Sequence, residues 1–221
     1  MAHPPIRGDR RRGRNQRGAV AVEAAIVTPL LMVLLLGIIE MSLMMRDVVS
    51  TNSSVRTGAR VASASAGAGP GTCESSDPSP PPCTPASAPA VAQAAADAIG
   101  RAGSAMPKNS IEYILVYSAN SKGYPLPSGN TTAVCSTKCV KYVWDSGLSK
   151  FRYSSGSWSS ASINACLNDP NRESVGIVMQ AHHSWVTGLF GDGITLSERS
   201  VMQFEPLSNE SCKPGTASPH P

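Results

Sequence analysis

Between Ala24 and Ile39 the chain carries no ionisable group, and the flanking Ala19–Val22 and Met41–Met45 extend the apolar run over residues 19–45. Wound as an α-helix at about 1.5 Å per residue, such a run is roughly 40 Å long, against a bilayer hydrocarbon core of about 30 Å. It can span a membrane with tilt to spare. The other resting place for so apolar a helix is the core of a water-soluble fold, where it would be covered on all sides.

The flanks give the run a direction. Arg7, Arg10, Arg11, Arg12, Arg14 and Arg17 precede it against Asp9 alone, whereas Arg46 and Asp47 follow it. Lys and Arg accumulate on the cytoplasmic side of a span, so residues 1–18 are expected in the cytoplasm and everything beyond Met45 outside. The net charge of +4 hides this asymmetry, because the chain after residue 18 holds 13 basic against 14 acidic residues. The arginines therefore read as a topology determinant and not as a nucleic-acid surface. A cleaved secretory signal would have an apolar region of about 7–15 residues with a small-x-small site close behind it. Here the run is longer, and the nearest such sites, Ala62–Ala64 and Ala64–Ala66, lie well past Met45. Arg11 and Arg12 are followed by Gly13 and Arg14, which does not complete a twin-arginine signal. The run is expected to be a retained single-pass anchor.

Glu23 and Glu40 stand at the two ends of the span, where a carboxylate near lipid must be paired, neutralised or interfacial. Glu23 is also the fifth residue after Gly18. Gly, four residues, Glu and then an apolar helix resembles the class III signal of type IV prepilins, which prepilin peptidase cuts on the cytoplasmic side. A cut after Gly18 would remove the arginine-rich leader and leave Ala19 as a charged amine near the membrane. The Glu23 carboxylate of the same or a neighbouring subunit could then compensate it.

The run RGAVAVEAAIVTPLLMVLLLGIIEM, with VRTGARVAS after it, narrows the resemblance to the TadE-like family, pseudopilins of the Tad/Flp tight-adherence pilus assembly system. The shared positions are Arg17, Gly18, Glu23, Pro29, Gly37, Glu40, Gly58, Ala59 and Arg60, and the TadE-like segment covers about residues 17–60. Ala24 departs from the pattern, since the family often has an aromatic there. The ending GLFGDGITLSERSVMQFEP also looks like the close of TadE-like proteins, a strand pair joined by a Leu/Phe/Gly-rich loop and finished by Met-x-x-Glu-Pro. The resemblance implies processing at Gly18, Ala19 and Glu23, and pilins, pseudopilins and prepilin peptidase as partners beside the lipid bilayer.

All six cysteines, Cys73, Cys83, Cys135, Cys139, Cys166 and Cys212, lie beyond the span. An even number on the outside suggests disulfides, and Cys73 with Cys83 is the favoured pair because it closes a short Pro/Ser loop. The connectivity of the others stays open. A zinc site from Cys135-x3-Cys139 with His182 and His183 is the rival reading, but neighbouring strand residues point to opposite faces. No metal site and no cofactor is expected.

Past the membrane, Val48, Val55, Ala59, Ala62 and Ala66 recur at helical spacing, so the helix is expected to continue over residues 46–66, with Arg56 and Arg60 on a solvated face. Residues 67–88 form a loop, and the stretch GAGPGTCESSDPSPPPCTPASAPA holds seven prolines, which excludes helix and inner strand. A second helix is expected from Pro89 to Ala102, stopped near Gly103, with Val91, Ala95, Ala98, Ile99 and Ala102 on one side. Strands follow over Ile111–Ser118, Lys138–Trp144 and Lys150–Ser154, the last two joined by a turn at Asp145-Ser-Gly. A short helix is placed near Ser160–Leu167. Val175, Ile177, Met179, Ala181, His183 and Trp185 alternate along a long strand that should pair antiparallel with Ile194–Glu205 across a loop at Val186–Gly193.

The fold class is therefore α+β, with the transmembrane helix running into an extracytoplasmic domain over residues 89–207, in which a helix packs on an antiparallel sheet; residues 208–221 are expected to be a disordered tail. Catalytic patterns such as G-x-S-x-G, H-E-x-x-H and the P-loop are missing, and His182 and His183 read as one exposed and one tucked residue of a strand. The expected function is non-enzymatic: a minor pseudopilin in the bacterial cytoplasmic membrane, with no small-molecule substrate and no nucleic acid. The alternative is an anchored exported binding domain or an unrecognised hydrolase, which would have no need of Gly18 with Glu23.

Overall fold

A computed structural model describes residues 12–73, 83–102, 105–126, 137–188 and 190–208. Helix α1 spans Arg12–Ala64 without a break and contains Pro29. Proline there removes one intrahelical donor, a loss that membrane helices tolerate. The chain divides into two units, Met1–Leu43 and Met44–Pro221.

In the second unit, the part of α1 from Met44 onward presents Asp47, Thr51, Ser54, Val55, Ala59, Ala62 and Ser63 as buried residues, a stripe at steps of three and four. The expected stripe is thus real, although Val48 is only half-buried and four polar residues share the inward face. Small residues dominate because α1 lies close to its neighbour, α2 (Ala90–Arg101), which buries Val91, Ala92, Ala95, Ala96, Ala98 and Ile99. Gly58 sets the approach: a Cβ there would fall 2.8 Å from Ile99 Cγ1 and Cδ1 and 3.2 Å from Ile177 Cδ1. Expected position Gly103 lies outside the described residues. The end of α2 is instead held by Lys108, whose Nζ donates to the Ile99 and Ala102 carbonyls at 3.1 and 3.2 Å, a cation on otherwise unpaired C-terminal acceptors.

Five antiparallel strands form one sheet in the order β3-β2-β1-β4-β5: β1 (Ile111–Ala119), β2 (Cys139–Asp145), β3 (Lys150–Ser157), β4 (Ser174–His183) and β5 (Ile194–Gln203). The hairpin turn between β2 and β3 is built by Asp145, whose Oδ1 accepts from the Gly147 and Leu148 amides. One face of the sheet carries Ile114, Val116, Ile177, Met179 and Val140 into the core shared with the helices. The other face buries Leu115, Tyr117, Cys139 and Val178. Tyr117 donates its hydroxyl to the Gly123 carbonyl at 3.0 Å, and burial pushes its pKa up to about 12. Burial likewise raises that of Tyr142, whose hydroxyl meets Thr84.

The expected helix at Ser160–Leu167 is not formed: only Ser160–Ser162 make a 3-10 turn. Serine and asparagine there satisfy the backbone locally, with Ser162 Oγ donating to Ser159 O and the Cys166 amide donating to Asn164 Oδ1, and such bonds compete with helix.

Cys73 and Cys83 are disulfide-bonded with Cα atoms 5.5 Å apart. Cys139 and Cys166 are also in disulfides, so no described cysteine is free; Cys135 and Cys212 lie outside the described residues. The rival thiolate site loses a donor with Cys139. For the 10-residue separation of Cys73 and Cys83, chain-entropy arguments give about 2–3 kcal/mol. Replacing both by Ser should lower the unfolding free energy of the oxidised protein by that amount in a urea titration, with the fold retained in circular dichroism.

Candidate functional site

Two arrangements stand out, one in each unit. In the first, the apolar part of α1 is uncovered along its length: none of its most apolar window is buried, and Ile26, Leu30 and Val20 are 71%, 67% and 63% exposed. Transferring this many aliphatic side chains out of water is worth on the order of 20 kcal/mol. It is therefore not the core helix of a water-soluble domain, and it is long and apolar enough to cross a bilayer. A single N-terminal apolar helix of this kind fits a single-pass membrane protein.

The residues singled out by the sequence are spread along this rod. Gly18 and Glu23 are exposed at its beginning, while Glu40 is fully buried near its end. The chain itself gives no reason for Gly18: it lies inside the helix, and a Cβ there would meet nothing within 4 Å. A helical glycine costs roughly 0.5–1 kcal/mol relative to alanine. Among the described residues that cost has no packing return.

In the second unit, Asp47 and His183 meet across 136 residues of sequence. His183 Nδ1 lies 2.7 Å from Asp47 Oδ2, with the two side chains 4% and 7% exposed. A carboxylate only accepts, so Nδ1 carries the proton. Asp47 Oδ1 also accepts from Arg46, with Nη2 3.2 Å away. The other ring nitrogen of His183 is buried without a partner. The imidazole packs edge-on against Trp185, ring centres 4.9 Å apart, and Trp185 in turn against Phe190 at 5.6 Å. Gly193, at φ 144°, closes the loop by lying directly on the His183 carbonyl, where any side chain would collide.

His182, the neighbouring strand residue, points the other way and is half-buried. One histidine is tucked in and one is not, as the alternation of β4 requires. Nothing in the spacing of the sequence pairs His183 with Asp47. The available signal was an acid falling on the small-residue stripe of α1, opposite a histidine on the inward face of β4.

Arg56 and Arg60 are exposed on the outer face of α1, where with Val48, Val49, Asn52, Ser53 and Thr57 they border a shallow depression of about 450 Å³. Among the described residues no group of three or more His, Cys, Asp or Glu could hold a metal ion. No curated protein and no solved structure gives a significant match to the chain. One family model does match: that of TadE-like protein, over residues 18–60.

Proposed function

We propose, from the match of residues 18–60 to the TadE-like family model, that the chain is a Tad pilus-related protein, a minor pseudopilin anchored in the bacterial cytoplasmic membrane. In this reading its N-terminus is cytoplasmic and its disulfide-bonded domain lies outside. Prepilin peptidase cuts after Gly18, and the mature chain begins at Ala19. The apolar helix then packs among pilin and pseudopilin helices, while the domain caps or orients the assembly without catalysing a reaction.

The observation that carries the reading is Gly18 followed by Glu23 at the head of an uncovered apolar helix, a glycine for which the fold itself has no use. The test is N-terminal sequencing of the membrane form from cells with active prepilin peptidase. A first residue of Ala19 is expected. A leader that stays intact in those cells would overturn the proposal.

A further inference from the structure

Several exposed apolar side chains of the second unit lie at one end of the sheet, while Leu167 and Val201 are exposed elsewhere. Val186 is 74% exposed and Phe190 56%, both in the connection from β4 to β5; Leu148 stands exposed in the β2–β3 turn and Ile194 at the start of β5. The strand register puts these at a common end, because Ile111 is opposite Ala181 and His183 is opposite Ile194, while Asp145 pairs with Lys150 just before the Leu148 turn closes. Soluble surfaces scatter single apolar residues, but a cluster marks a contact.

What lies at that end is fixed by hydrogen bonds to α1. The Asp47–His183 bond holds the last residue of β4 level with Asp47 of α1, and the Ala105 amide, donating to Ser50 Oγ at 3.0 Å, holds the chain after α2 one turn further on. Asp47 is two residues beyond Met45, the end of the apolar run. Two residues advance a helix by ~3 Å, and the headgroup zone on each side of a bilayer is roughly 5–7 Å thick. The exposed cluster therefore starts where lipid headgroups start.

Resting on the membrane reading above, we infer that Trp185, Val186 and Phe190 dip into the bilayer interface, so that the domain is seated on the lipid surface as well as tethered to it. Trp185, half-buried beside the exposed Val186 and Phe190, is an aromatic ring of the kind enriched at that depth. The Trp185–Phe190 and Trp185–His183 ring contacts present the aromatic pair from a rigid base.

The experiment uses the full chain reconstituted in phosphatidylcholine–phosphatidylglycerol vesicles, with acyl chains plain or brominated near the headgroup. Brominated lipid should quench tryptophan emission. W185F should remove most of that loss, because Trp158 is buried and Trp144 is packed on Phe151; V186S/F190S should lower it about twofold. As a check that needs no folding-sensitive variant, a benzophenone side chain introduced at Phe190 should form phospholipid adducts on irradiation. Emission equal in both lipids, or adducts to protein alone, would overturn the inference while alkali-resistant membrane association of the same samples left the anchor standing. Release of the full chain by alkali would overturn the anchor, and the seating with it.

Discussion

Asp47→Ala is expected to lower the unfolding free energy of the domain by about 3 kcal/mol, because removing one partner of a buried pair leaves the other uncompensated. In the variant, His183 would have neither ring nitrogen bonded, since Nε2 already lacks a partner. It would remain in a site 4% exposed. Arg46→Ala touches the same carboxylate from a half-exposed position and should cost less than about 1 kcal/mol. The contrast is what matters: urea titrations of the detergent-solubilised chain should separate the two variants by their midpoints at equal slope. Equal midpoints for Asp47→Ala and the parent would show that the pair does not hold β4 to α1. The lipid-seating inference would then lose its geometric footing too.

The second large effect is functional. Glu23→Ala should insert like the parent, since the substitution removes a charge from an otherwise apolar helix. It should enter the assembly at least about tenfold less well. A unit charge pair 4 Å apart in a medium of effective dielectric ~20 attracts by about 4 kcal/mol, and roughly 1.4 kcal/mol is a factor of ten. Even a third of that attraction between Glu23 and a mature Ala19 amine suffices. The measurement is co-purification of the tagged variant with its pilin partners after in-cell crosslinking, with membrane insertion scored separately. Incorporation equal to the parent's would refute the charge-compensating role of Glu23, and Glu23→Gln should fail as Glu23→Ala does.

Much of the architecture could be read before the fold was known, for reasons tied to particular residues. The alternation Val175, Ile177, Met179, Ala181, His183 has a single period and one buried face, so strand, face and pairing with β5 all followed from it, although β4 ends at His183 and the expected continuation to Trp185 is not strand. Ala59, Ala62 and Ala66 gave the helical stripe, and the brevity of the Cys73–Cys83 loop gave that disulfide. The order β3-β2-β1-β4-β5 was not legible, because it depends on which edges meet across long connections and not on local pattern. Bonds such as Glu205 N to Ser63 O, which tie the end of the sheet to the end of α1, are of the same kind. At Ser160–Leu167 a short helix was expected, but Ile163, Ala165 and Cys166 serve the core from an irregular segment held by serine and asparagine side chains. At the candidate site, Gly18 and Glu23 were visible as a spacing, whereas Asp47 and His183 each looked unremarkable until folding brought them together.

Disulfides at Cys73, Cys83, Cys139 and Cys166 impose a schedule on how the protein is made. Thiols are kept reduced in the bacterial cytosol, so in the proposed topology these bonds close only after the polypeptide has been threaded across. Maturation then runs from the anchor outward: the greasy rod is lodged first, and the export machinery hands over an open chain. The sheet is locked by oxidation on the far side, with its starting point already pinned to the lipid.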